Sequence, residues 1–386
     1  MKKSLLALAV LGAFAGAAQA QSSVTIYGIV DTGVVYTSKA LNAAGTGTGS
    51  KFSVNSGVLQ SSRLGFKGTE DLGGGMQALF VLESGFKNDT GALDDSKTTN
   101  TLFRRKSLVG LSGNFGSVLL GRNTDYADVI SSYTSVGDFF GVTGAVGHNL
   151  DRLEGVRTNN SVTYTTNTIA GFTGNLMYGF GETAGQTSAG QAFNIGGKYD
   201  NGPLGLGINY YQSKQGSTPS DTNLLVGTTG LGDPTQAGNS AFKVLTLAAS
   251  YQFGAARVYG NYSRVKQDLN TGSPTALASK TLSAANKADI YELGTSYMLS
   301  PSLKLMGAVT HTRAGFNSSS KGKLTQFSLG TDYYMSKRTD LYAIVANIRA
   351  SDMANTGVFG DAVGNSTIGG ADGSQTAVAV GIRHKF

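Results

Sequence analysis

From residue 23 to the end, the chain runs as segments of about ten residues in which apolar and polar side chains alternate. The connections between them are by turns short and long. The short ones, at residues 71–75, 113–116, 200–202, 253–254, 300–301 and 336–337, hold residues such as Gly, Asn, Asp and Pro that supply tight-turn dihedrals. The long ones, at 38–60, 88–100, 124–158, 215–239, 268–286 and 351–374, are polar. A period of two sends successive side chains to opposite faces of a strand. Strict alternation of short and long connections is the pattern of a barrel crossing a bacterial outer membrane, with short periplasmic turns and long outer loops.

Sixteen strands are expected, near 23–36, 61–70, 75–87, 101–112, 115–123, 159–167, 172–182, 191–200, 203–214, 241–254, 255–267, 287–300, 301–313, 324–336, 338–350 and 375–386. The facing is clearest at the ends. In the last strand Val378, Val380, Ile382, His384 and Phe386 point one way, with Ala377, Ala379, Gly381, Arg383 and Lys385 opposite. In the first, Val24, Ile26, Gly28 and Val30 alternate with Thr25, Tyr27, Ile29 and Asp31. In the second, Leu64, Phe66 and Gly68 alternate with Arg63, Lys67 and Thr69, so Arg63 and Lys67 are expected in the lumen. The strand at 101–112 alternates poorly. Tyr36, Phe86, Phe172, Tyr199, Tyr251, Tyr297, Tyr333 and Tyr334 sit near strand ends, where aromatic girdles flank the apolar band of a membrane barrel.

The start of the chain agrees. Lys2 and Lys3 precede an apolar run and the Ala18-Gln19-Ala20 site, the layout of a secretory signal peptide. Cleavage would leave residues 21–386 as one barrel domain and lower the net charge from +7 to +5. The exported part has no Cys, so no disulfide holds it, and no window of 18 apolar residues, so it is not a helical membrane protein. A soluble exported β protein is the rival class. An all-β, 16-stranded antiparallel transmembrane barrel differs from it in closing on itself, which removes every sheet edge.

Strand number carries the step towards function. An eight-stranded barrel is filled by its own side chains, whereas 16–18 strands enclose an aqueous channel. The lumen is then expected to be polar. The longest connection, 124–158, holds Tyr126, Tyr133, Phe139 and Phe140 together with Asp125, Asp128, Asp138, Asp151 and Glu154. A disordered loop would carry fewer aromatics, so this third outer loop is expected to fold into the lumen and narrow it.

The chain resembles the general porins of Gram-negative bacteria, in their beta-proteobacterial branch. The resemblance spans the mature chain. It is carried by Ser22-Ser23-Val24-Thr25-Ile26-Tyr27-Gly28, by Ser62-Arg63-Leu64-Gly65-Phe66-Lys67-Gly68-Thr69-Glu70-Asp71-Leu72-Gly73-Gly74-Gly75 and by Leu82-Glu83-Ser84-Gly85-Phe86. It continues in Val109-Gly110-Leu111-Ser112-Gly113-Asn114-Phe115-Gly116, Leu120-Gly121-Arg122, Arg157-Thr158-Asn159-Asn160-Ser161 and the terminal His384-Lys385-Phe386. It implies homotrimers of sixteen-stranded barrels, each with its third loop inside. It implies a basic constriction cluster on the wall, at Arg63, Arg105 and Arg157 by motif position, with Glu83 as a wall acid. It also implies that Phe386 is read by the barrel insertion machinery. The third loop lacks the Pro-Glu-Phe-Gly-Gly turn of the enteric porins, so loop detail does not transfer from that branch.

Other chemistries find little support. The three His, at 148, 311 and 384, lie in the third loop, at a strand end and in the last strand, and no nucleophile-elbow motif accompanies them. Thiolate metal sites are out without Cys. The Gly45-Thr46-Gly47-Thr48-Gly49 run lacks the Lys and helix of a phosphate loop. The basic residues are spread over strands, unlike a nucleic-acid face. The expected function is passive diffusion of small hydrophilic solutes and ions across the outer membrane, with a modest anion preference and no cofactor, metal or catalysis. Membrane lipid and lipopolysaccharide are the expected surroundings. A substrate-specific channel is the alternative.

Overall fold

In the computed structural model, the residues described are 23–42, 47–93, 101–135, 138–139, 157–185, 187–214, 241–267, 287–315, 321–352 and 373–386. The strands are β1 (Ser23–Leu41), β2 (Thr48–Ser56), β3 (Arg63–Gly73), β4 (Met76–Gly85), β5 (Lys106–Gly113) and β6 (Gly116–Thr124). They continue with β7 (Arg157–Thr165), β8 (Phe172–Gly179), β9 (Ala192–Asn201), β10 (Leu204–Lys214), β11 (Ala241–Phe253) and β12 (Ala256–Gln267). The last are β13 (Lys287–Ser300), β14 (Leu303–Gly315), β15 (Lys321–Tyr334), β16 (Thr339–Ser351) and β17 (Gly373–Lys385). From β3 onward each pairs antiparallel with the next, and β17 returns to β1, so the sheet closes. Closure pairs the backbone of every wall strand with a neighbour, the condition for strands to cross lipid. No described helix is long and apolar enough to cross a membrane.

Seventeen segments make sixteen staves. The inner end of β1 pairs with β3 and its outer end with β2, so β2 and β3 are two parts of one stave. The expected loop at 38–60 is therefore mostly hairpin. The stave breaks at residues 57–62, where Gly57 takes a left-handed φ of 72° that lets the chain leave the ladder. The break folds inward. Val58 and Leu59 are buried, and Leu59 and Gln60 donate their backbone N–H to Asp31 Oδ2 at 3.1 and 2.7 Å. Tyr342 donates to Asp31 Oδ1 at 2.6 Å from across the barrel seam.

The period of two reads directly onto the two faces. In β13, Tyr291, Leu293, Tyr297 and Leu299 are exposed on the outer face, while Ala288, Ile290, Glu292 and Ser296 are buried inside. Val378, Val380, Ile382 and Phe386 are exposed on β17 and its end, and Val24 and Ile26 on β1. Phe386 pairs with Gly28 through both backbone groups at 3.1 Å, and its ring lies where a Cβ on Gly28 would be. Exposed Phe172, Tyr251, Phe253, Tyr297 and Tyr333 mark the short-turn end. Tyr334 departs from this girdle, because it shares the inner face with buried Asp332.

The lumen is less uniformly polar than expected. Val244, Val265, Ile290, Leu324 and Ile348 are all buried and face inward near the outer ends of their strands. They are sealed from solvent, so the water path does not run against that part of the wall.

Candidate constriction site

One lateral row crosses the inner wall of β1, β3, β4 and β5: Tyr27 lies opposite Gly65, Gly65 opposite Glu83, and Glu83 opposite Lys106. Directly opposed residues of antiparallel strands point to the same face, so all four face the lumen. Gly65 is required there. A Cβ on it would come within 2.3 Å of the Tyr27 ring, which lies across the glycine. The Tyr27 hydroxyl donates to Glu83 Oε2 at 3.0 Å, and Arg105 Nε donates to Glu83 Oε1 at 2.6 Å. One carboxylate thus fixes a phenol and a guanidinium, the latter by a short charge-assisted bond.

The neighbouring rows add cations. Lys67 lies opposite Thr25, with its Nζ 5.5 Å from the centre of the Tyr27 ring. Arg63 lies opposite Ile29 and Gly85 and within the field of Arg105, Glu83 and Asp128. Arg105 precedes the first residue of β5, five residues later than expected for that strand, and its backbone N–H bonds the Glu83 carbonyl at 3.1 Å. Lys106 reaches the third loop, 3.6 Å from Asp128 Oδ2, and Thr124 donates to the same carboxylate at 3.3 Å. Arg157 stands opposite Thr124, half-buried at the start of β7. The geometry brings Arg63, Lys67, Arg105, Lys106 and Glu83 together, with Arg157 beside the loop's root.

The third loop turns inward at once. It holds a short helix α1 (Ala127–Ile130) and a 3₁₀ turn at Ser131–Tyr133. Its aromatic residues lie on a row of glycines. Tyr126 covers Gly196 on β9, Ile130 covers Gly207 and Tyr133 covers Gly205 on β10, each at a spacing a Cβ would close to 2.6 Å. Polar bonds hold the same path: Asn209 to Asp125 at 3.2 Å, Tyr133 to Asp200, and Arg257 to the Ser132 carbonyl. Farther along, Glu292 on β13 accepts from the Ser135 N–H at 2.8 Å, and Lys304 on β14 pairs with Asp138 at 3.0 Å. Phe139 packs over Gly330 on β15. The loop therefore lies along the wall opposite the basic row. Burial pushes the Tyr126 phenol up to about 12, and Tyr133, which donates to Asp200, is raised by burial and by that carboxylate, so both phenols stay neutral.

The loop acids divide. Asp125 and Asp138 are buried against the wall and pin the loop, whereas Asp128 is part exposed and faces Lys106. Asp151 and Glu154, like the cleavage site after Ala20, lie outside the described residues. Sequence reasoning missed Tyr27 as a partner of Glu83 and missed Lys106. The Arg104-Arg105-Lys106 run was a usable signal for the latter.

A closed sixteen-stave barrel, a third loop folded inside it and a match of the Gram-negative porin family profile over residues 7–353 decide the class. The chain belongs to the Gram-negative porins. It is 36% identical to outer membrane porin protein 32 of Delftia acidovorans and 32% identical to an outer membrane porin protein of Bordetella pertussis, each over the full length of both chains. Among solved structures, the anion-selective porin from Comamonas acidovorans matches with a TM-score of 0.73 and 30% identity, covering 95% of this chain and 100% of that one. The protein is accordingly an outer-membrane porin, and its place is the bacterial outer membrane.

Proposed function

We propose that this porin passes small anions in preference to cations, and that Arg63, Arg105 and Arg157, helped by Lys67 and Lys106, set that preference. The observation that carries the reading is the wall itself: four bases cluster on the inner wall of β3–β5 around Glu83, which Arg105 and Tyr27 already engage, while Asp71 shares that face only near the short turn. The anion-selective porin from Comamonas acidovorans supports the same sign. Guanidinium groups keep their charge at any working pH. Two unit charges 4 Å apart in water interact by about 1 kcal/mol, and a tenfold preference corresponds to about 1.4 kcal/mol, so a few screened bases suffice. The bases filter by field, as charged rings do in other channels, while the inserted loop filters by size. Solutes move down their gradients without a reaction at the wall.

The test is the zero-current potential across a planar bilayer under a salt gradient. Replacing Arg63, Arg105 and Arg157 together by Ser should shift it towards cations, by more than replacing Lys51 on β2 of the outer hairpin. An equal shift from Lys51→Ser alone would reject the cluster. Assembly as a homotrimer is part of the same proposal, consistent with the porin family. Phe386 is proposed as the address for barrel insertion, its ring also sealing the β1–β17 seam over Gly28. Deleting Phe386 should lower the yield of folded porin in the outer membrane. Normal assembly at ordinary expression would leave it a seam residue only.

A further inference from the structure

Glu83 has two guanidiniums within reach and bonds one of them. On the inner wall Arg63 stands opposite Gly85, two residues along β4 from Glu83, the diagonal spacing that long side chains bridge across a strand pair. Arg105 comes from the other side, just ahead of Lys106, which lies opposite Glu83 on β5. Glu83 takes Arg105: the guanidinium Nε donates to Oε1 at 2.6 Å, and the Arg105 backbone N–H donates to the Glu83 carbonyl at 3.1 Å. The Arg63 guanidinium makes no ion pair among the described residues, and its Nε is buried without a hydrogen-bond partner. A carboxylate beside two guanidiniums gains from bonding both, because charge-assisted hydrogen bonds are the strong ones. Something keeps Glu83 from Arg63.

The second carboxylate oxygen is held by Tyr27, whose hydroxyl donates to Oε2 at 3.0 Å. Tyr27 is on β1 and Glu83 on β4, with Gly65 of β3 between them in the same row. Two strand spacings, about 10 Å, separate the two backbones. A long, flat side chain lying on the wall covers most of that distance, and a glycine between leaves it room. A Cβ on Gly65 would stand 2.3 Å from the tyrosine Cζ and 2.6 Å from its hydroxyl oxygen. The ring has other work, since it fills the space over Gly65 and lies 5.5 Å beneath the Lys67 ammonium. Phenylalanine would do both. The hydroxyl is the part of Tyr27 that packing does not explain.

We propose that Tyr27 is a positioning residue for ion selectivity: its hydroxyl holds Oε2 of Glu83, which commits that carboxylate to Arg105 and leaves the Arg63 guanidinium unneutralised for the permeating anion. This role rests on the anion-preferring reading of the constriction given above. Without the hydroxyl, Oε2 is free to accept from Arg63, and a base paired with Glu83 draws anions less.

Zero-current potentials across planar bilayers under a KCl gradient at low mean salt test this, with Tyr27→Phe made in the wild type, in Glu83→Gln and in Arg63→Gln. In the wild type, Tyr27→Phe keeps the ring and should lower the chloride-to-potassium permeability ratio by about twofold to threefold, the effect of neutralising one partly screened base. In the Glu83→Gln and Arg63→Gln backgrounds the same substitution should leave the ratio where it was, because either the acid or the base it would release is gone. A role confined to packing would shift the ratio alike in all three. Gly65→Ala, whose Cβ displaces the Tyr27 ring, should reproduce the shift of Tyr27→Phe. Heat-dependent gel migration and discrete open-channel steps establish that each variant is folded. An unchanged ratio in Tyr27→Phe, or an equal shift in either background, would overturn the role of Tyr27 and leave the anion preference standing. A wild type with a potential of the potassium sign would overturn both.

Discussion

Glu83 joins the two sides of the basic wall, accepting from Tyr27 on one oxygen and Arg105 on the other. Its charge offsets the bases around it while holding them in place. Glu83→Gln removes the offset and keeps most of the shape. Anion preference measured by zero-current potential should then rise about threefold to fivefold, the effect of roughly 1 kcal/mol. An unchanged potential would mean that Glu83 lies off the ion path. Much of this wall was legible beforehand. Arg63 and Lys67 alternate with Leu64 and Phe66, and that pattern alone places them inside. Arg105 was not legible from its pattern, since it stands just outside β5 and takes its position from Glu83. Tyr27 showed its facing but not its partner, because register across β1, β3 and β4 decides who meets whom.

On the proposed function, the third loop is the element that sets the bore. Its inward course was expected from aromatics in a long connection, but its track was not, since that depends on glycines from two distant strands. Gly196, Gly205 and Gly207 leave a groove that Tyr126, Ile130 and Tyr133 fill. Gly196→Leu with Gly207→Leu should lift the loop from the β9–β10 wall and change single-channel conductance, while deleting the loop centre should raise conductance and admit larger sugars in liposome swelling. An unaltered size cutoff after the deletion would show that the loop does not form the constriction. The break between β2 and β3 was illegible for a related reason. Its polar residues read as a loop, and only the Asp31 carboxylate, bonding Leu59 and Gln60, turns it inward.

At the scale of the molecule, the barrel presents different chemistry on each surface. The outer wall is apolar between its aromatic ends, the β3–β5 inner wall is basic, and the inner wall near the outer ends of β11–β17 is buried and mixes apolar side chains with polar ones such as Thr246, Thr312 and Gln375. That last surface defeats a reading by alternation, because inward Val244, Ile290 and Leu324 look like lipid-facing residues until burial assigns them. On the proposed function, the water path runs between the third loop and the basic wall, and permeating ions pass Arg63 and Arg105 at short range. Screening should weaken this at high salt, where the screening length falls to about 3 Å at 1 M. The most direct measurement is the zero-current potential of the wild-type porin in a planar bilayer under a tenfold KCl gradient, taken at low and at high mean salt. Discrete open-channel steps are expected, with a potential of the sign for chloride over potassium that shrinks as mean salt rises. A potential of the potassium sign at low salt would contradict this expectation.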